Sequence, residues 1–126
     1  MEKQQAALKK TVVLGASPNP DRYAYRATLM LQRYGHQPVP VGIRRGEIGG
    51  LAIRHDLSVI PDVDTVTLYM RAERQRAYYD YIFSLHPKRI LFNPGAENDE
   101  LAAMARARGI ETVEGCTLVM LSLGNY

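Results

Sequence analysis

The segment VVLGASPNP, residues 12–20, has the makings of a loop that holds a phosphate group. An apolar run stops at Leu14, and Gly15 allows the sharp turn that follows. Ala16 and Ser17 are small enough for a ligand to come close to the backbone. N–H groups in such a turn, and at the start of the next helix, favour a phosphate or diphosphate because aligned peptide dipoles leave positive charge there. Ser17 adds a hydroxyl and Asn19 an amide. The full Gly-x-Gly-x-x-Gly dinucleotide pattern is missing, so a turn made only for packing is the competing explanation.

A second group of residues narrows the chemistry. Domains that bind plain NAD usually place Asp or Glu at the end of the second strand, where it accepts from the ribose hydroxyls. The corresponding stretch here, VPVGIRR at 39–45, holds no acid and ends in Arg44 and Arg45. Paired guanidinium groups suit a ribose bearing an extra phosphate, as in coenzyme A or NADP. The alternative is a solvated loop with two ordinary surface arginines. Arg26, one turn into the first helical stretch, is a further candidate phosphate partner. Tyr69 and Met70, followed by Arg71, end one later apolar run, and Asn93, Pro94 and Gly95 end another. Small or turn-forming residues at several strand ends point to a binding site more strongly than any one motif does.

Catalytic groups are sparse. His36, His55 and His86 lie in separate turns and loops, and no paired acids or metal-ligand spacing accompany them. Cys116 is the single cysteine, which excludes a disulfide framework or a multi-cysteine zinc site within one chain. It follows Gly115 at the start of a helical stretch. A small buried residue is the simpler reading, and a mixed disulfide with a thiol ligand the sharper one. The sequence leans away from independent catalysis without deciding it.

These residues need a scaffold, and the hydrophobic pattern supplies one. Apolar runs at 11–14, 38–41, 64–70, 89–92 and 110–113 read as strands, with a short edge strand at 51–54. Pro40 belongs at a strand end or a bulge, since proline cannot donate to a ladder. Helical periodicity covers 22–34, 72–85 and 99–108, with a short helix at 116–123. Asn98 caps the third of these, Asp99 and Glu100 complement its positive end, and Gly109 closes it. Tyr79 and Phe83 fall off the apolar stripe of 72–85, so an exposed pair there would suit a homodimer or a partner enzyme. Strands alternating with helices predict a single-domain α/β fold: a three-layer, doubly wound, Rossmann-like parallel sheet of about five to six strands.

Bulk properties agree. The 126 residues fit one domain at 11–126 behind a polar segment at 1–10. With 46% hydrophobic and 23% charged residues the chain is globular. MEKQQAALKK has no apolar stretch, and no window approaches a membrane span, so a cytoplasmic location is expected. A net charge of +3 suits an anionic small molecule, whereas nucleic acid would call for a dense basic stripe that is missing.

Taken together, VVLGASPNPDRYAYRA, the proline-rich second strand and FNPGAENDELAAMARARGIETVEGC resemble the small bacterial CoA-binding-domain proteins. These are stand-alone relatives of the CoA-binding domain of the succinyl-CoA synthetase alpha subunit. The resemblance runs from about Lys10 to Tyr126. It implies a diphosphate lined by Gly15, Ala16, Ser17 and Asn19, and an adenosine end bordered by Pro40, Val41, Arg44 and Arg45. It further implies a pantetheine arm flanked by Tyr69, Met70 and Asn93 to Gly95. Where the family often reads Asn-Pro-Lys after strand two, this chain reads VPVGIRR. The implied ligand is coenzyme A or an acyl-CoA, bound without catalysis by this chain. An NADP- or NAD-binding redox sensor or oxidoreductase, and an interaction protein with a vestigial nucleotide site, are the other readings open at this point.

Overall fold

A computed structural model describes residues 7–126, so part of the polar segment 1–10 lies outside the described residues. Five parallel strands form the sheet: β1 (Lys10–Leu14), β2 (Gln37–Val41), β5 (Thr65–Leu68), β6 (Arg89–Phe92) and β7 (Glu111–Glu114). Their spatial order is β2-β1-β5-β6-β7. In register, Val12 stands between Val39 and Val66, and Leu14 between Val41 and Leu68. From β1 the chain winds one way to β2 and the other way through β5, β6 and β7. The order therefore reverses at the β1–β5 boundary, where such sheets open a crevice beyond their C-terminal ends.

Helices cover both faces, which is why the strands read as continuous apolar runs and not as alternating ones. On one face α1 (Tyr23–Arg33) and α5 (Thr117–Leu123) pack with Val13, Leu31, Ile48 and Leu121 in one core. On the other, α3 (Tyr79–Ser84) and α4 (Asp99–Ala107) join Leu14, Leu68, Ile82, Phe92 and Leu101 in a second. The strand period of two sends Val12 and Leu14 into one core and Val13 into the other. Asn98 caps α4 as the sequence requires, its Oδ1 accepting the Leu101 N–H at 3.0 Å. Between β2 and β5 the expected 51–54 strand is present in part: β4 (Leu51–Ala52) pairs in a hairpin with β3 (Glu47–Ile48), and Arg54 bridges Val41 in parallel at the sheet edge. Among the described residues no helix is long and apolar enough to cross a membrane.

Three expectations change. Residues 72–85 are not one helix: α2 (Ala72–Gln75) gives way to a 3-10 turn at Arg76–Tyr78, and α3 follows. The apolar stripe exists only in the second half, so nothing ties Ala72–Ala77 to the core as a helix face. Gln75 ties it there instead. Fully buried, it donates to the carbonyls of Met70 at 2.8 Å and Ala96 at 2.7 Å. Tyr79 and Phe83 do not form an exposed patch, because both are half-buried against the core. The Tyr79 hydroxyl bonds Asn98 and Glu100 at 2.9 Å, and the Arg108 guanidinium lies 4.0 Å from the Phe83 ring centre. Pro40 sits within β2, opposite Val13, and not at a bulge. An edge strand tolerates it, since its outer side needs no proline donor: the Arg54 N–H donates to the Pro40 carbonyl at 2.9 Å.

Candidate functional site

The strand-order reversal opens into a cavity of about 820 Å³, within the range of small-molecule sites. Its walls are the segments that follow β1, β2, β5 and β6. Two glycines hold these segments together. Gly15 has φ +100°, and a Cβ there would lie 2.7 Å from the Tyr69 carbonyl oxygen, so the β1 and β5 segments touch at this point. A Cβ on Gly42 would meet the Ala16 carbonyl.

The GASPNP loop is shaped by its own hydrogen bonds. The Gly15 and Ala16 N–H groups both donate to the Val41 carbonyl, at 2.9 and 3.0 Å. These are amides that the sequence offered to a phosphate. The chain instead pairs them with the adjoining strand end, as buried backbone donors require. Beyond them, Ser17 Oγ accepts the Asn19 N–H at 3.1 Å, and Asn19 Oδ1 accepts the Asp21 N–H at 2.9 Å. Two consecutive side-chain turns thus deliver the backbone to α1. The Ser17 hydroxyl proton and the Asn19 amide hydrogens are left to donate into the cavity.

Helix α1 begins without a cap. Arg22 stands at the N-cap in extended conformation with no side-chain capping bond, and its first turn holds no acid. Tyr23 and Ala24, whose N–H groups have no partner among the described residues, line the cavity. The positive end of the helix dipole therefore faces the open space. Among the described residues four arginines line it as well, Arg22, Arg44, Arg71 and Arg74, against the single carboxylate of Asp21. Among the described residues the one ion pair is Arg76–Glu100, at 3.1 Å, so none of these four is neutralised. The described lining of the cavity therefore carries an excess of positive charge.

Of the residues singled out from the sequence, Gly15, Ala16, Ser17, Asn19, Val41, Arg44, Tyr69, Met70, Pro94 and Gly95 come together on its walls. Arg26, Pro40, Arg45 and Asn93 do not. Arg26 stands over the Tyr23 ring at 5.5 Å. Asn93 lies beneath the site, 2% exposed, with its amide engaged on all sides. It donates to Thr67 Oγ1 at 2.7 Å and the Leu68 carbonyl at 2.8 Å, and accepts the Thr117 N–H at 2.9 Å. It joins the ends of β5 and β6 to the start of α5. Tyr69 reaches toward the same region, and burial pushes its phenol far above the ordinary range, so the ring stays neutral.

Arg22, Arg74, Tyr78 and Gly42 were not drawn from the sequence. Arg22 and Arg74 carried a signal, since Arg22 stands at the N-cap, and Arg74 within the single turn, of a helix that follows a strand. Gly42 carried none, because its need arises from Ala16 in the loop after a different strand. None of the three histidines lines the cavity, nor does half-buried Cys116 at the start of α5. No cluster of three His, Cys, Asp or Glu able to hold a metal occurs among the described residues.

Comparison with known proteins adds a family. A family model described as a CoA binding domain matches residues 9–122. Among solved structures, one titled as an uncharacterized protein is 51% identical, covers 96% of this chain and 100% of its own, and superposes with a TM-score of 0.94. A hypothetical protein from Pyrococcus horikoshii OT3 is 23% identical, with 92% of this chain and 83% of that one covered and a TM-score of 0.83. A dinucleotide-forming acetyl-coenzyme A synthetase 1 of Ca. Korarchaeum cryptofilum, in complex with phosphate and ADP, is 20% identical with a TM-score of 0.68. That match covers 82% of this chain but 25% of the synthetase, and it shows the fold. No curated protein matches the sequence.

Proposed function

The chain belongs to the CoA binding domain family, and from that premise we propose that it binds coenzyme A or an acyl-CoA in the crevice between β1 and β5, without catalysis of its own. The observation that carries the reading is the uncapped N-terminus of α1, open to a cavity that four unneutralised arginines line. The diphosphate sits against the Tyr23 and Ala24 amides, with the Ser17 hydroxyl and Asn19 amide donating from the loop. Arg44, on the β2 side, takes the phosphate on the ribose, and Arg45 borders the same end. Tyr69, Met70, Pro94 and Gly95 run along the pantetheine arm.

The ligand supplies a thiol that carries acyl groups as thioesters. This chain contributes binding and orientation. Among the described residues Asp21 is the one acid that lines the cavity, and no histidine does.

A thermal-shift titration with coenzyme A, 3′-dephospho-coenzyme A, NADP and NAD tests the reading. A ligand at about a hundred times its Kd adds about 2.7 kcal/mol, or several degrees for a domain of this size. The expected order is coenzyme A above its dephospho form, with the nicotinamide nucleotides weaker. Arg44→Ala should weaken coenzyme A by about ten-fold and leave the dephospho form nearly unchanged, since one charge-assisted contact is lost. A larger shift with NADP would replace the ligand assignment, and no shift with any compound would overturn it.

A further inference from the structure

The two faces of the sheet are covered in different ways. Toward α3 and α4 the central strands present Val66, Leu68, Ile90 and Phe92, all buried and apolar. Toward α5 they present, besides Val13 and Leu91, the buried polar residues Thr11, Thr65, Thr67 and Arg89. The segment over these is α5 with the residues that follow it, and its hold is largely polar. Within α5 only Thr117 and Leu121 are buried, while Val119 and Leu123 are exposed. At the inner end the Thr117 N–H donates to Asn93 Oδ1 at 2.9 Å, and the Thr117 and Thr67 hydroxyls share a hydrogen bond of 2.8 Å. At the outer end the Tyr126 and Thr11 hydroxyls share one of 2.7 Å, and Arg89 Nη1 donates to the Tyr126 carbonyl at 2.9 Å. Arg89 has no carboxylate within ion-pair distance among the described residues, and its Nη2 is buried without a hydrogen-bond partner. So is the hydroxyl of Tyr69, whose ring packs in the core that Leu121 completes.

Opening this segment costs little for its length. Of its own apolar side chains only Leu121 is fully buried, and what it uncovers on β1, β5 and β6 is largely threonine and arginine. Water then reaches a guanidinium and a phenol that the closed form leaves short of partners. The segment also meets the cavity walls directly. Asn93 bonds Thr117 on one side and the end of β5 on the other, immediately before Pro94 and Gly95 in the cavity lining. Tyr69 lines the cavity and packs in the core of Leu121. We infer that Thr117–Tyr126 is a strap that opens as one unit about Gly115 and Cys116 while the sheet stays folded, and that a ligand in the cavity holds it shut. Empty and loaded chains then differ in surface on this face, so the strap turns occupancy into a signal. The ligand part of the inference rests on the coenzyme A reading above.

Amide hydrogen exchange followed by NMR on the wild-type chain, with and without coenzyme A, tests both parts. In the empty chain the hydrogen-bonded amides of Thr117, Met120, Gly124 and Asn125 should share one protection factor. It should be at least about a hundred-fold below that of β5 and depend more weakly on low urea. Protection equal to that of β5, with the same urea slope, overturns the strap, since the segment then opens only with the whole fold. So does a graded series in which Asn125 exchanges fast and Thr117 as slowly as β5, which is fraying of a helix. Coenzyme A at about a hundred times its Kd should slow β5 by about a hundred-fold, because the unfolded chain does not bind it. The strap amides should slow by at least about ten-fold. Slowing of β5 without slowing of the strap overturns the coupling, since the open form then binds as well as the closed one. No slowing of either overturns the coenzyme A reading, while exchange in the empty chain still decides the strap.

Discussion

Replacing Gly15 by alanine tests the claim that the β1 turn is made by a close approach of two strands. At φ +100° an L-residue is strained by about 1–2 kcal/mol. The added Cβ would also lie 2.7 Å from the Tyr69 carbonyl oxygen and 2.9 Å from its carbon, backbone atoms that belong to β5's end and cannot swing aside. Forcing such an overlap costs about 1–3 kcal/mol more. Gly15→Ala should therefore destabilise by about 2–5 kcal/mol, or about 8–20 °C in Tm. Gly109→Ala is the matched control: φ is +78°, but nothing lies within 4 Å of its Cβ position. It should lose about 1–2 kcal/mol, about 4–8 °C. The unfolded-state effect of adding a methyl group is the same at both sites and cancels in the comparison. Thermal and urea unfolding of the two variants, each against wild type, gives the difference. Equal losses would refute the argument that Gly15 is required by contact with Tyr69 rather than by its own backbone angle.

Two other perturbations follow from the same geometry. Asn93→Ala should lower stability by about 3 kcal/mol, because it strands the buried Thr117 N–H and leaves the Thr67 hydroxyl and Leu68 carbonyl short of a donor. A urea midpoint within experimental error of wild type would show that these bonds are replaceable. His36 should make the fold less stable in mild acid. Its pKa is held below 6.5 by burial and by the charges of Lys9 and Arg89, and its Nδ1 accepts the Lys9 N–H at 3.0 Å. As pH falls through 6.5 the unfolded chain takes up this proton first, so stability present above that pH declines until the folded-state pKa is passed. His36→Gln should flatten Tm between about pH 7 and 5 relative to wild type, and parallel curves for the two proteins would remove His36 as the cause.

The sequence by itself determined the class of fold, a sheet of about five to six strands, the cap at Asn98 and about half of the residues that line the cavity. Those features are local. An apolar run of four or five residues, a 3.6-residue stripe or an Asn at a helix start carries its own physical reason, and a βα turn must lie at the sheet's C-terminal edge. What only the tertiary structure decided is which groups remain available there. The Gly15 and Ala16 amides look free in sequence but pair with the Val41 carbonyl, because β2 happens to lie alongside. Asn93 looks like a ligand contact but becomes a fully bonded post between β5, β6 and α5. Arg22, Arg44, Arg71 and Arg74 are scattered along 53 positions of the sequence and become one set of cavity cations because the strand order reverses between β1 and β5. The break of residues 72–85 into two short helices was decided in the same way, by Gln75 bonding the carbonyls of Met70 and Ala96. Hydrogen-bond satisfaction and charge neutralisation depend on neighbours distant in the chain, and no local pattern encodes which neighbours those will be.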